Sequence, residues 1–84
     1  MQTIATPAGL TATVGTQRFP IQSWSQVSRA YRALLERFDL GASRAPRCLI
    51  LDARGRTVAH VSYNGRVWKG ERWVPGDTPI YLPD

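Results

Sequence analysis

The chain has 84 residues and carries 11 Lys and Arg against 6 Asp and Glu, which gives a formal net charge of +5 at pH 7. This length supports one domain with one small core, and the positive charge excludes a DNA mimic, whose surface must be acidic. No apolar run approaches the roughly 20 residues of a membrane span, and the single cysteine cannot form an internal disulfide, so we expect a cytoplasmic protein with no membrane partner.

Residues 1–22 are predicted to form a β-hairpin and an extended lead-in. Residues 3–6 and 10–14 alternate threonine with apolar side chains on either side of the breaker Pro7-Ala8-Gly9, a pattern typical of strands with one wet face. Gly15-Thr16 indicates a second turn. Pro20 favours an extended chain before the next element.

A helix is predicted over residues 23–41. Ser23 followed three residues later by Gln26 forms a capping box, in which each side chain accepts from a free backbone N–H of the other residue. Gly41 predicts a left-handed cap after a helix that runs from about residue 24 to residue 40. Apolar side chains recur at helical spacing and predict one buried stripe: Trp24, Val27, Tyr31, Leu34, Leu35 and Phe38.

Residues 46–74 are predicted to form a three-stranded antiparallel meander, followed by an extended, proline-rich tail over residues 75–84. Asp52 with Gly55 indicates a type I turn that is closed by a left-handed glycine. Asn64-Gly65 between alternating runs favours a two-residue type I′ turn, in which both residues have positive φ.

The turns fix which residues pair, and the pairing fixes the two faces of the sheet. A two-residue turn places Val61 opposite Trp68, and the first turn places Cys48 opposite His60. The helix is expected to cover the more apolar face, made of Leu49, Leu51, Ala59, Val61, Tyr63 and Trp68. The predicted architecture is a two-layer α+β fold, ββ-α-βββ, with one helix packed on an antiparallel sheet. The N-terminal hairpin either extends that sheet or covers its second face.

The second sheet face is predicted to be a surface for a protein partner or for self-association, because it is half apolar. Its members are Ile50, Val58, His60 and Val67.

An alternative is a nucleic-acid interface on the turns and edges of the meander. Arginine suits bidentate phosphate contacts, and aromatic side chains can stack on bases. Tyr63, Trp68 and Trp73 are interleaved with the cations that would contact DNA or RNA: Arg44, Arg47, Arg54, Arg56, Arg66, Lys69 and Arg72.

Few features of the sequence support catalysis or the binding of a metal or cofactor. Cys48 and His60 on one face would begin a thiol nucleophile, yet a third orienting group and an oxyanion site are missing. One Cys and one His do not complete a zinc site, and no glycine-rich loop opens a helix to hold phosphate. We therefore expect no catalytic activity, no metal, no cofactor and no small-molecule substrate.

The stretch Val61-Ser62-Tyr63-Asn64-Gly65-Arg66-Val67-Trp68, preceded by a capped helix and Gly41-Ala42-Ser43, resembles small accessory proteins of phages, plasmids and integrative elements of GC-rich bacteria. The resemblance covers roughly residues 23–73. It implies an accessory gene of mobile DNA and supplies no catalytic residue. We predict a non-catalytic interaction module that acts by protein–protein contact, as a homodimer or an inhibitor of a host machine, with a basic nucleic-acid-binding domain as the alternative.

Overall fold

The computed structural model describes residues 7–83, which form one helix on one face of a five-stranded antiparallel sheet. The elements in chain order are β1 (Thr11–Val14), β2 (Gln17–Pro20), α1 (Trp24–Arg37), β3 (Cys48–Leu51), β4 (Thr57–Val61) and β5 (Val67–Lys69). The strand order in the sheet is β2-β1-β3-β4-β5. The predicted two-layer ββ-α-βββ architecture of the α+β class is confirmed.

The N-terminal hairpin lies one turn later in the chain than predicted. It joins β1 to β2 around Gly15-Thr16, and Gly15 supplies a φ of +60°. The predicted strand over residues 3–6 lies outside the described residues. Because β1 also pairs with β3, the hairpin extends the sheet, which is the first of the two placements considered above.

Helix α1 begins as its capping residues predict. The Ser23 hydroxyl accepts a hydrogen bond from the Gln26 N–H at 3.0 Å. The return bond runs one residue earlier than in a standard capping box, since the Gln26 side-chain oxygen accepts from the Gln22 N–H at 2.6 Å.

The helix ends three residues earlier than predicted, and Gly41 is not its cap. Asp39 has the left-handed conformation, with a φ of +52°. The Leu40 N–H donates to the Leu35 carbonyl at 2.9 Å and the Asp39 N–H donates to the Glu36 carbonyl at 3.2 Å. These two bonds form a Schellman motif, and Asp is one of the few residue types that tolerates its left-handed position.

Both turns of the meander have three-residue loops. The Asp52 N–H donates to the Arg56 carbonyl and the Ser62 N–H to the Arg66 carbonyl, each at 2.8 Å. In the second loop only Gly65 has a positive φ, of +90°, so the predicted type I′ turn is wrong. The Asn64 side-chain oxygen accepts from the Arg66 N–H at 3.2 Å, which favours the longer loop.

The longer loop shifts β5 by one residue. Val61 therefore pairs with Val67, and Trp68 pairs with His60. Because side chains alternate along a strand, this shift exchanges the two faces of β5 relative to the prediction.

A β-bulge shifts β3 in the same way. The pairing moves from Ile50 opposite Ala59 to Leu51 opposite Thr57, which leaves Val58 as the extra residue. Beyond the bulge, Cys48 pairs with Val61 rather than with His60.

These two shifts invert the predicted faces of β3 and β5. Ala59 and Val61 are in the core as predicted, but Leu49, Leu51 and Trp68 lie on the opposite face and are only half-buried. Tyr63 is exposed on the second loop. The core beneath the helix is formed by Ala12, Val14, Cys48, Ile50, Ala59, Val61 and Val67, packed against Trp24, Val27, Tyr31 and Leu35.

The tail after residue 75 closes one edge of the sheet. The Val67 N–H donates to the Tyr81 carbonyl at 3.0 Å, and the Ile80 N–H donates to the Val67 carbonyl at 2.7 Å. The tail thus pairs with β5 at one bridge, and Ile80 and Tyr81 pack against the core.

Candidate protein-interaction surface

The face of the sheet opposite the helix positions side chains in a regular pattern, and we refer to it as the uncovered face. Within residues 7–83 no helix lies on this face. Strand pairing aligns one residue from each strand in a row across it: Arg18, Thr13, Leu49, His60 and Trp68. Leu51 lies near this row, and Leu49 and Leu51 are both half-buried.

Trp68 is held at one end of the row by the loop that precedes β5. Its indole Nε1–H donates to the Ser62 hydroxyl oxygen at 3.1 Å. The same hydroxyl donates to the Asn64 side-chain oxygen at 2.6 Å. The loop therefore fixes the orientation of the indole in the free protein.

His60 is the buried member of the row, with 8% of its surface exposed. Its Nδ1 lies 2.8 Å from the Gly70 carbonyl oxygen. A carbonyl only accepts, so Nδ1 carries the proton in this arrangement.

The segment after β5 turns back over the His60 side of the uncovered face. The Gly70 N–H donates to the Val58 carbonyl at 2.9 Å. The Arg47 guanidinium donates to the Glu71 carbonyl. These contacts leave the Leu49 and Leu51 side of the face as its accessible apolar part.

The strands of the uncovered face carry positive and no negative charge. The five strands contain no Asp or Glu, and Arg18 places a cation in the row across this face. Lys69 pairs with Ala59 and therefore lies on the helix side of the sheet. The nearest turn carboxylate, Asp52, is already engaged, because it accepts from the Arg54 and Arg56 N–H groups at 2.9 Å each. These backbone bonds, led by the one from Arg56, lower the pKa of Asp52, and the Arg56 guanidinium 3.4 Å away acts in the same direction.

The predicted partner face is corrected by the burial of its members. Ile50 and Val67 are fully buried beneath the helix, so they cannot contact a partner in the folded chain. His60 does lie on the uncovered face, whereas Val58, the extra residue of the bulge, is half-buried and packs against the core. The face opposite the helix is therefore made of other residues than predicted.

The predicted nucleic-acid residues are exposed, but the fold places them at both ends of the sheet. All seven lie at the surface: Arg44, Arg47, Arg54, Arg56, Arg66, Lys69 and Arg72. In an antiparallel meander the two turns lie at opposite ends of the sheet, so Arg54 and Arg56 are separated from Arg66. Arg47 is engaged with the Glu71 carbonyl, and Arg56 is engaged with Asp52.

The Cys48 and His60 pair considered as a nucleophile does not form, because the two residues lie on opposite faces of the sheet. Burial raises the pKa of the Cys48 thiol to about 12. Among the described residues no group of three or more His, Cys, Asp or Glu side chains could hold a metal ion. In the same part of the chain, no helix is long and apolar enough to cross a membrane.

A groove of about 460 Å³ lies where the end of α1 meets the second loop. Arg32, Glu36 and Asp39 line it from the helix side, and Tyr63 and Asn64 line it from the loop. Its mixture of opposite charges favours no single ligand class. No sequence pattern predicts this groove, because it depends on where the loop contacts the helix.

Comparison with known proteins gives no match, whether with protein-family models, with curated proteins or with solved structures.

Proposed function

We propose that this protein is a non-catalytic binding domain whose uncovered face contacts an acidic surface of another protein. The observation that carries the proposal is a partly exposed aliphatic patch, formed by Leu49 and Leu51, on strands that contain no acidic residue. An apolar centre with a charged surround is the usual anatomy of a protein-protein interface.

The chemistry of the face favours a protein over a nucleic acid. Sheets that bind single strands present several open aromatic rings for base stacking. Here His60 is buried and Trp68 is half-buried with its indole N–H bonded to Ser62. The accessible centre is aliphatic, which suits the side chains of a partner protein.

Charge also argues against a second copy as the partner. A two-fold dimer places the same patch on both subunits, so Arg18 and its neighbours would meet their own copies. With a net charge of +5 on each chain, self-association through this face is electrostatically opposed.

The resemblance to accessory proteins of mobile elements supplies a context for the proposed contact. A small domain that occupies an acidic contact surface on a host machine would inhibit that machine without chemistry of its own. This assignment rests on the proposed interaction of the uncovered face.

The proposal is tested by quantitative affinity capture from nuclease-treated cell lysate. The bait is the wild-type chain, Leu49→Glu on the uncovered face, or Ala42→Glu, which places the same charge on the exposed loop after α1. We expect one protein partner to be retained by the wild type and by Ala42→Glu and lost with Leu49→Glu, because a carboxylate would face the partner's acidic surface. Circular dichroism checks that each bait is folded.

Direct titration with the purified partner should repeat this order of affinities. Equal capture by all three baits would contradict the proposal. Capture that disappears on nuclease treatment, with affinity for an oligonucleotide that falls steeply with salt, would favour the nucleic-acid alternative.

A further inference from the structure

A second groove lies beside α1, in the other layer of the fold from the uncovered face. It has a volume of about 390 Å³ and runs between the helix and β2. Its lining is formed by Gln17, Ala30, Ala33, Leu34, Arg37 and Phe38. Nothing in the proposed function uses this groove.

The groove exposes a second apolar stripe of the helix. Ala30, Leu34 and Phe38 are spaced four residues apart and therefore share one side of α1. Ala30 is exposed, Leu34 is half-buried, and Phe38 keeps 58% of its surface exposed. The buried stripe under the helix runs through Val27, Tyr31 and Leu35 instead. Leu34 packs at the margin of that core, so Ala30 and Phe38 are the exposed members of the second stripe.

The positive charge in the groove favours an acidic partner. Arg37 is the ionisable residue in its lining, and its guanidinium carbon lies 5.6 Å from the centre of the Phe38 ring. A cation next to an exposed aromatic side chain is complemented by a carboxylate next to a large apolar side chain.

The neighbouring edge of β2 does not favour an added strand. The Ile21 N–H donates to the Leu10 carbonyl at 3.1 Å, so the alternate residues Arg18 and Pro20 direct their backbone groups outward. Pro20 has no N–H, which leaves the edge short of a donor for strand pairing.

A helix fits the same site better. The small side chains of Ala30 and Ala33 permit a close approach between two helix axes. A second copy of α1 would bring Arg29 and Arg37 against like charges, which disfavours self-association. We propose that this groove binds an acidic amphipathic helix of a partner protein, with an apolar side chain against Phe38 and a carboxylate on Arg37.

The test is a titration of the isotope-labelled full chain, followed by NMR, with a synthetic helix of about 18 residues that carries Leu on one face and Glu elsewhere. We expect amide shifts at residues 30, 33, 34, 37 and 38. Ala33→Glu and Arg37→Glu should each weaken binding by about tenfold. The matched control is Arg29→Glu. It makes the same charge reversal on the same helix, at a residue that does not line the groove, and should weaken binding less.

The results that would overturn the proposal can be distinguished from one another. Equal losses for Arg29→Glu and Arg37→Glu would indicate unspecific attraction to a basic protein and would overturn the proposal. Absence of binding, or shifts confined to the uncovered face, would also overturn it. So would a wild-type dimer in sedimentation that Ala33→Glu converts to a monomer, because a second copy would then occupy the groove.

Discussion

Gly65 is the residue at which the loop between β4 and β5 contacts the helix. The Ser28 hydroxyl, which is fully buried, donates to the Gly65 carbonyl at 2.6 Å. A Cβ at this position would lie 2.6 Å from Arg32 Cδ and 2.9 Å from Ser28 Oγ. Glycine is thus required both by the left-handed φ and by the close packing.

Replacing Gly65 with alanine should destabilise the fold more than the same change in the first loop. Gly55 has a comparable φ of +80°, but a Cβ there would meet nothing within 4 Å. We expect about 1 kcal/mol of lost stability for Gly55→Ala and about 2–3 kcal/mol for Gly65→Ala, since the latter adds steric overlap. Urea denaturation measures both. Equal losses of stability would show that the contact with Ser28 and Arg32 does not contribute to the difference between the two variants.

Asp52 links the stability of the first loop to pH. Its pKa is lowered in the folded chain, chiefly by the hydrogen bond from the Arg56 N–H. A lowered folded pKa means that the carboxylate stabilises the fold above its unfolded pKa of about 3.9, and that this contribution is lost as the pH falls through the folded value.

Asp52→Ala should therefore be less stable than the wild type at neutral pH, and the difference should shrink below about pH 4. Thermal unfolding of both proteins across this pH range tests the expectation. A difference that stays constant into acid would mean that the carboxylate charge plays no part.

At the scale of elements, the end of α1 shows that the left-handed cap position is not always taken by the nearby glycine that the sequence suggests. The chain uses Asp39 in the left-handed position although Gly41 is two residues away. A negative side chain at a helix C-terminus is also unfavourable for the helix dipole. The choice of Asp39 follows from where Leu40 packs against the core.

Asp39→Gly should stabilise the protein by about 0.5–1 kcal/mol, because glycine adopts positive φ without strain and removes the unfavourable charge. Gly41→Ala is the control, since Gly41 lacks a left-handed φ and a Cβ there would meet nothing within 4 Å. It should be neutral or slightly stabilising. A larger loss from Gly41→Ala would mean that Gly41 is the true cap.

The strand and helix positions were largely predictable, whereas the pairing between strands was not. Alternation along β4 placed Ala59 and Val61 in the core correctly. The loop at Asn64-Gly65 and the bulge at Val58 each moved a neighbouring strand by one residue. A dipeptide such as Asn-Gly suits two loop lengths, and the Ser28 contact that accompanies the longer one joins residues 37 positions apart.

The candidate surfaces could not be predicted for the same reason, since they depend on the pairing between strands. Which residues form the uncovered face depends on register, so Leu49 and Trp68 were assigned to the core and Ile50 and Val67 to the surface. The groove beside α1 is not predicted from the sequence. Leu34 and Phe38 fall within the single predicted stripe, and Ala30 is not part of it. Spacing alone does not show how wide a face of the helix the sheet covers.

At the scale of the whole molecule, both edges of the sheet are blocked for pairing with other chains. Pro20 removes a donor from the β2 edge, and the tail bridge at Tyr81 occupies the β5 edge. Together with the net charge of +5, these features oppose edge-to-edge aggregation. The two surfaces proposed for recognition, the uncovered face and the groove beside α1, are accordingly side-chain surfaces.

The central claim is that β3 turns Ile50 toward the helix and Leu49 toward the uncovered face. The most direct measurement is the urea unfolding of two variants with the same charge at adjacent positions. Leu49→Glu should remain folded with a loss of about 1 kcal/mol, while Ile50→Glu should lose about 4–5 kcal/mol or fail to fold, because it buries an unpaired carboxylate. A folded Ile50→Glu beside an unfolded Leu49→Glu would place the helix on the other face and contradict the account.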